Sequence, residues 1–165
     1  MLGKNKLGVW IIGIYGEVAS ATILGSQAIA AGYSNTTGLL TETDPFKELN
    51  LTPFPDLVFG GHDIYQGNLY KSIRDYVREN RVFDLEHLAS LQGRIEDMDR
   101  SVRLGTVSRC GDVVASMADP QVTRGKVNME ETVVRIAQDM KAFQELNDLE
   151  RVVVVNLSSA EPETG

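Results

Sequence analysis

The sequence predicts an α/β fold built on a parallel sheet. Three observations lead there. Runs rich in β-branched and other apolar residues occur at 7–14, 56–60 and 151–156, with the length and continuity of strands buried on both faces. Stretches of helical periodicity separate them. Glycines or small polar residues follow the strand-like runs, as expected where parallel strands hand over to crossover connections.

Taken in order, the first strand spans 7–14 and is broken by the 13–16 turn. A helix rich in Ala, Leu and Ile follows over 17–31, with Gly32 as its stop. Residues 36–41 read as a second strand ending at Glu42, and a loop with Pro45, Pro53 and Pro55 leads to the third strand at 56–60. Residues 66–80 carry Leu69, Tyr70, Ile73, Tyr76 and Val77 on one helical stripe. Asp84 caps a short helix with Leu85, Leu88 and Leu91, which Gly93 ends. The charged, glycine-containing segment 94–127 predicts an irregular excursion with one short helix around 113–117. Asn128 and Glu131 resemble a capping box. They open a helix to Leu146 with Val133, Ile136, Ala137, Met140 and Phe143 inward. Residues 151–156 form the fourth strand.

With 165 residues, 42% of them hydrophobic and 24% charged, the chain suits one domain over 1–165. A net charge of -7 argues against nucleic acid or anionic lipid as partners. Cys110 is the only cysteine, so no internal disulfide forms and no metal spacing exists. A cytoplasmic setting is expected. No run approaches the roughly 20 apolar residues of a membrane span.

Four segments carry candidate chemistry. Gly13-Ile-Tyr-Gly16-Glu-Val18 lies between the first strand and its helix, where free amides and the helix dipole attract phosphate. Tyr15 and Val18 stand where the G-x-G-x-x-G fingerprint has its second and third glycines. Spacing alone leaves open a dinucleotide cradle or a tight turn with no ligand. Glu42, at the expected tip of the second strand, reads either as a partner for ribose hydroxyls that would repel a 2′-phosphate or as a solvated loop carboxylate. In Gly60-Gly-His-Asp63, Asp63 could bond a ribose, while His62 reads either as a proton carrier or as a structural imidazole. Asn156, Ser158 and Ser159 follow the last strand, placed to surround a nicotinamide or sugar, or to form a turn before Pro162.

These segments, in this order, resemble the inositol-3-phosphate synthase family, chiefly its shorter prokaryotic branch. The matching stretches are VWIIGIYGEVAS at 9–20, GLLTE at 38–42, FGGHDI at 59–64 and VVVNLSSAEP at 153–162, with a looser match in GTVSRCG at 105–111. Ala160 stands where threonine is expected. The resemblance implies a Rossmann-like NAD-binding domain, with NAD as cofactor and no metal assigned. It implies that glucose 6-phosphate is converted to 1D-myo-inositol 3-phosphate by internal oxidation, cyclisation and reduction. By position, Gly13, Tyr15, Gly16, Glu17 and Val18 would face the pyrophosphate, Asp63 would hold a ribose, and Asn156, Ser158 and Ser159 would lie near nicotinamide and substrate. The family's catalytic lysines belong to a second domain that matches nothing before Gly165, so no catalytic residue is assigned.

A two-halved dinucleotide fold has about six strands, and four are read here. The sheet is therefore expected to be incomplete and prone to self-association at its open edge, and the resemblance implies that the chain is the N-terminal part of a longer, homo-oligomeric enzyme, inactive alone. Two other readings are an NAD-binding or sensing module without chemistry, and another nucleotide-dependent Rossmann enzyme such as a methyltransferase.

Overall fold

A computed structural model of the chain describes residues 6–46, 48–107, 111–123 and 128–158. The first apolar run forms the inner strand β1 (Leu7–Ile12). It pairs in parallel with β2 (Leu57–Asp63) on one side. On the other side lies β4 (Arg151–Asn156), also parallel. A short β3 (Val102–Leu104) extends the sheet beyond β2, giving the order β3-β2-β1-β4. This is the first part of the doubly wound order. The register places Ile12 opposite both His62 and Asn156, so three strand tips end at one level.

Helices α1 (Glu17–Ala30), α2 (Leu69–Asn80) and α3 (Leu85–Asp99) cover one face. There Ile11 and Phe59 from the sheet meet Ile23, Ile73, Leu91 and Ile95, all 2% exposed or less. The other face takes α6 (Met129–Leu146), which follows α4 (Gly111–Met117) and α5 (Pro120–Thr123). Its core is small: Trp10, Phe143 and Leu149. A Cβ on Gly8 would lie 2.8 Å from the Phe143 ring, and one on Gly60 2.9 Å from it. These glycines leave the floor on which Phe143 rests.

Four expectations change. Residues 36–41 form no strand. Asn35 Oδ1 accepts from the Thr37 amide at 3.0 Å, Gly38 turns the chain at φ 89, and a 3-10 turn covers Leu40–Glu42. Leu40 is 67% exposed, so no core contact holds this segment extended, and β2 is the sheet's second strand rather than its third. Further 3-10 turns occupy Asp44–Phe46 and Phe54–Asp56. Gly93 does not end α3: a Cβ there would meet nothing within 4 Å, and burial of Leu88, Leu91 and Ile95 outweighs the roughly 1 kcal/mol penalty of a helical glycine. The excursion after residue 94 contains β3, which the sequence reading left out. In α6, Val133 and Ala137 are exposed and only Phe143 is fully buried, because the sheet beneath is too narrow to cover the whole stripe.

One polar group lies inside this small core. His62 is 2% exposed. Its Nδ1 accepts from Trp10 Nε1 at 3.0 Å, and its Nε2 lies 2.9 Å from Asp139 Oδ2. An indole N–H can only donate, so Nδ1 is bare and Nε2 carries the proton given to Asp139. The imidazole is therefore neutral. Burial pushes its pKa below the ordinary 6.5, and Asp139 only partly offsets this.

Two outcomes follow from this packing. Phe143→Ala should cost about 3–5 kcal/mol in denaturant unfolding, the usual range for emptying a buried aromatic site. Stability should also depend on acidity. Below the pKa of an unfolded imidazole the unfolded chain gains a proton that native His62 resists, so the contribution is complete above about pH 6.5 and declines as pH falls. Thermal melts from about pH 7 to about pH 5.5 should show a falling midpoint in the native chain and a flatter trend in His62→Gln.

Candidate functional site

From β1 the chain builds β2 and β3 on one side, then returns to lay β4 on the other. The tips of β1 and β4 therefore flank a topological switch point, where open α/β sheets bind ligands. The 13–16 turn lies there. Gly13 has φ 82, and a Cβ on it would come within 3.1 Å of the Ser158 backbone. Both the left-handed backbone and the close approach require glycine. The Gly16 amide closes onto Gly13 O at 3.1 Å. Gly16 is then the extended N-cap of α1, with no side-chain cap. The first-turn amides of Glu17 and Val18 lie at an exposed rim, where an anion can complete the helix. One turn further in, the Ser20 hydroxyl is buried without a hydrogen-bond partner among the described residues.

The departures from the glycine fingerprint acquire a physical reason. Tyr15 is turned inward, 9% exposed. Its ring lies where a Cβ on Gly67 would come within 2.7 Å, and its hydroxyl donates to Asp99 Oδ1 at 3.1 Å. Burial first, then the Asp99 charge, raises its pKa well beyond the usual phenol range. The side chain is therefore packed inside, and only the Tyr15 backbone belongs to the turn. Val18 points to solvent, 62% exposed, while Ala19 beside it is fully buried; the small residue needed for close helix packing stands one position later. Glu17 already places an acid in the first turn of α1.

The tip of β2 holds this turn. His62 O accepts from the Gly13 amide at 2.8 Å. Asp63 Oδ2 accepts from the Tyr15 amide at 2.9 Å, and Oδ1 from the Ile64 amide at 2.8 Å. Burial raises the Asp63 pKa, while the amides of Tyr15, Ile64 and Tyr65 pull it back. Asp63 thus reaches the rim beside the turn, though part of its carboxylate is engaged by the protein itself.

At the tip of β4, Asn156 Oδ1 accepts from the Ser158 amide at 3.1 Å and from its hydroxyl at 2.7 Å. Both residues are exposed, and the Ser158 backbone lies close to Gly13. Ser159 lies outside the described residues. Glu42 sits in an exposed 3-10 turn instead of at a strand tip, and Asp63 occupies the place assigned to it, since β2 follows β1 in the sheet. A further hollow of about 400 Å³ opens beside Leu104, Gly105, Thr106, Asn128 and Arg135, at the tip of β3. Sequence reasoning singled out no role for Asp99. It accepts from both Tyr15 and the Leu69 amide.

Among the described residues no helix is long and apolar enough to cross a membrane, and no group of three or more His, Cys, Asp or Glu could hold a metal ion.

Comparisons with known proteins agree with this fold. The family model of the NAD-binding domain of myo-inositol-1-phosphate synthase matches residues 7–164. An inositol-3-phosphate synthase 1 of Bacteroides thetaiotaomicron is 28% identical over 168 residues, which cover 95% of this chain and 37% of that protein. The crystal structure of an inositol-3-phosphate synthase from Caenorhabditis elegans superposes with a TM-score of 0.70 at 23% identity, over 95% of this chain and 35% of its own. A myo-inositol-1-phosphate synthase-related protein from Thermotoga maritima gives a TM-score of 0.57 at 19% identity, over 92% and 34% of the two chains. The chain spans little more than a third of these relatives. By its sheet order and the match over nearly its whole length, it belongs to the myo-inositol-1-phosphate synthase family, in the part of that family that binds NAD.

Proposed function

We propose that this chain holds NAD for an inositol-3-phosphate synthase, which converts glucose 6-phosphate to 1D-myo-inositol 3-phosphate by internal oxidation, cyclisation and reduction. The observation that carries the reading is the 13–16 turn: a left-handed glycine at the switch point, followed by a 14-residue helix whose N-cap offers no side chain. When bound, NAD would supply the redox chemistry, with the protein supplying orientation. The Glu17 and Val18 amides would bind the pyrophosphate, and Gly13 and Gly16 would leave room for it. Asp63 would accept from a ribose hydroxyl. Asn156, Ser158 and Ser159 would border the nicotinamide and the substrate. Catalytic cations would come from outside these 165 residues, in a cytoplasmic homo-oligomer, so the chain alone is expected to bind NAD without turnover.

Calorimetry tests this directly. Gly16→Glu should abolish NAD binding by crowding and repelling the diphosphate, while leaving the fold intact by circular dichroism; retained affinity would remove the turn from the site. Asp63→Ala should weaken binding by roughly 1–3 kcal/mol, the cost of a lost buried partner. Affinity equal to that of the native chain would show that Asp63 serves the turn alone.

A further inference from the structure

The tip of β2 belongs to a closed ring of hydrogen bonds. On one side, the His62 carbonyl holds the Gly13 amide at 2.8 Å and the Ile14 amide at 3.4 Å. On the other, the His62 imidazole bridges Trp10 of β1 and Asp139 of α6. Asp139 lies 3.5 Å from Arg135 Nη1, one helical turn away. Arg135 donates to Leu104 O at 2.7 Å and to Gly105 O at 2.9 Å. The Gly105 amide returns to Asp63 O at 2.7 Å. The turn, the tips of β2 and β3, and α6 are thus joined around one neutral imidazole.

We propose that His62 and Asp139 are positioning residues for the dinucleotide, a latch from α6 that fixes where the tip of β2 holds the 13–16 turn. The proposal rests on the NAD reading above and adds its regulation by acidity. The imidazole satisfies two neighbours of opposite demand: Trp10 requires an acceptor and Asp139 a donor. A second proton on His62 would turn Nδ1 into a donor facing the Trp10 N–H and break that bond. The charges that bear on the imidazole are Asp139 and Arg135 from α6 and Arg103 from β3; the arginines oppose its protonation and Asp139 favours it. Asp63 is its neighbour on β2, with its carboxylate bonded at the turn. Losing the latch would loosen the tip of β2 whose carbonyl holds Gly13, so the effect should appear in NAD affinity as well as in stability.

The test is NAD titration of the 165-residue chain by calorimetry at about pH 7.5 and about pH 5.5, bracketing imidazole titration. The native chain should bind several-fold more weakly at the lower pH, less than the roughly tenfold change that an imidazole of ordinary pKa would give, because burial holds that of His62 lower. In His62→Gln the amide oxygen can accept from Trp10 and the amide nitrogen can donate to Asp139, so binding should persist with a flat pH profile. Asp139→Ala should weaken binding roughly tenfold at the higher pH, and Asp139→Asn, which keeps an acceptor, should recover most of the loss. Native affinity in Asp139→Ala, or the same pH profile in His62→Gln as in the native chain, would overturn the proposal. If the native chain binds no NAD at either pH, the cofactor reading fails instead. The latch is then judged on the Gly13 and Tyr15 amide resonances: shifts in Asp139→Ala but not in Asp139→Asn support it, and unmoved resonances reject it.

Discussion

Two consecutive residues at the tip of β2 hold the turn around which the site is built. His62 grips it through its main-chain oxygen and Asp63 through its carboxylate. A glycine turn with its amides free would sample many conformations, and ligand binding would then have to offset that entropy. Here the Gly13 and Tyr15 amides are already bonded to β2, and the Gly16 amide is bonded within the turn. Only the first amides of α1 remain for an anion. This division prepares the site while leaving its charge-attracting end open.

The same constraint explains what the sequence could and could not disclose. The inner strands were legible because burial on both faces selects unbroken apolar runs. Gly13 was legible because few other residues adopt its left-handed backbone. Residues 36–41 misled because Thr-Thr-Gly-Leu-Leu-Thr has strand composition without a core to face. With that segment removed from the sheet, the acid after the second strand becomes Asp63 instead of Glu42. β3 was hidden because three residues, one of them Arg103, carry no periodic signal. The Tyr15–Asp63 and Tyr15–Asp99 bonds span 48 and 84 positions, and they depend on strand register and helix placement that local patterns do not encode.

The fingerprint departures show how a strand-to-helix turn can lose a glycine and remain open. What a ligand needs from the second glycine is an unobstructed backbone. Tyr15 meets that need by burying its ring against Gly67 and Tyr65 and tying its hydroxyl to Asp99. The exchange carries a dependency. Asp99 closes α3 and also accepts the first amide of α2, so the clearance of the turn is linked to the seating of two helices on that face, as the His62 latch links it to α6 on the other.

In the proposed reading, Asp63 would join the geometry of the turn to the choice of cofactor. An ionised carboxylate has about four lone-pair sites, and the amides of Tyr15 and Ile64 occupy two of them here. Acceptor capacity remains for a ribose hydroxyl without release of the turn. A 2′-phosphate in that place would meet a carboxylate only 7% exposed, where water screens little of the repulsion. The residue that stiffens the turn is then also the one that would separate NAD from its phosphorylated form. A lysine or arginine introduced there to accept the phosphate would remove the acceptor for the Tyr15 amide, so a change of cofactor would need a second change that holds the turn by other means.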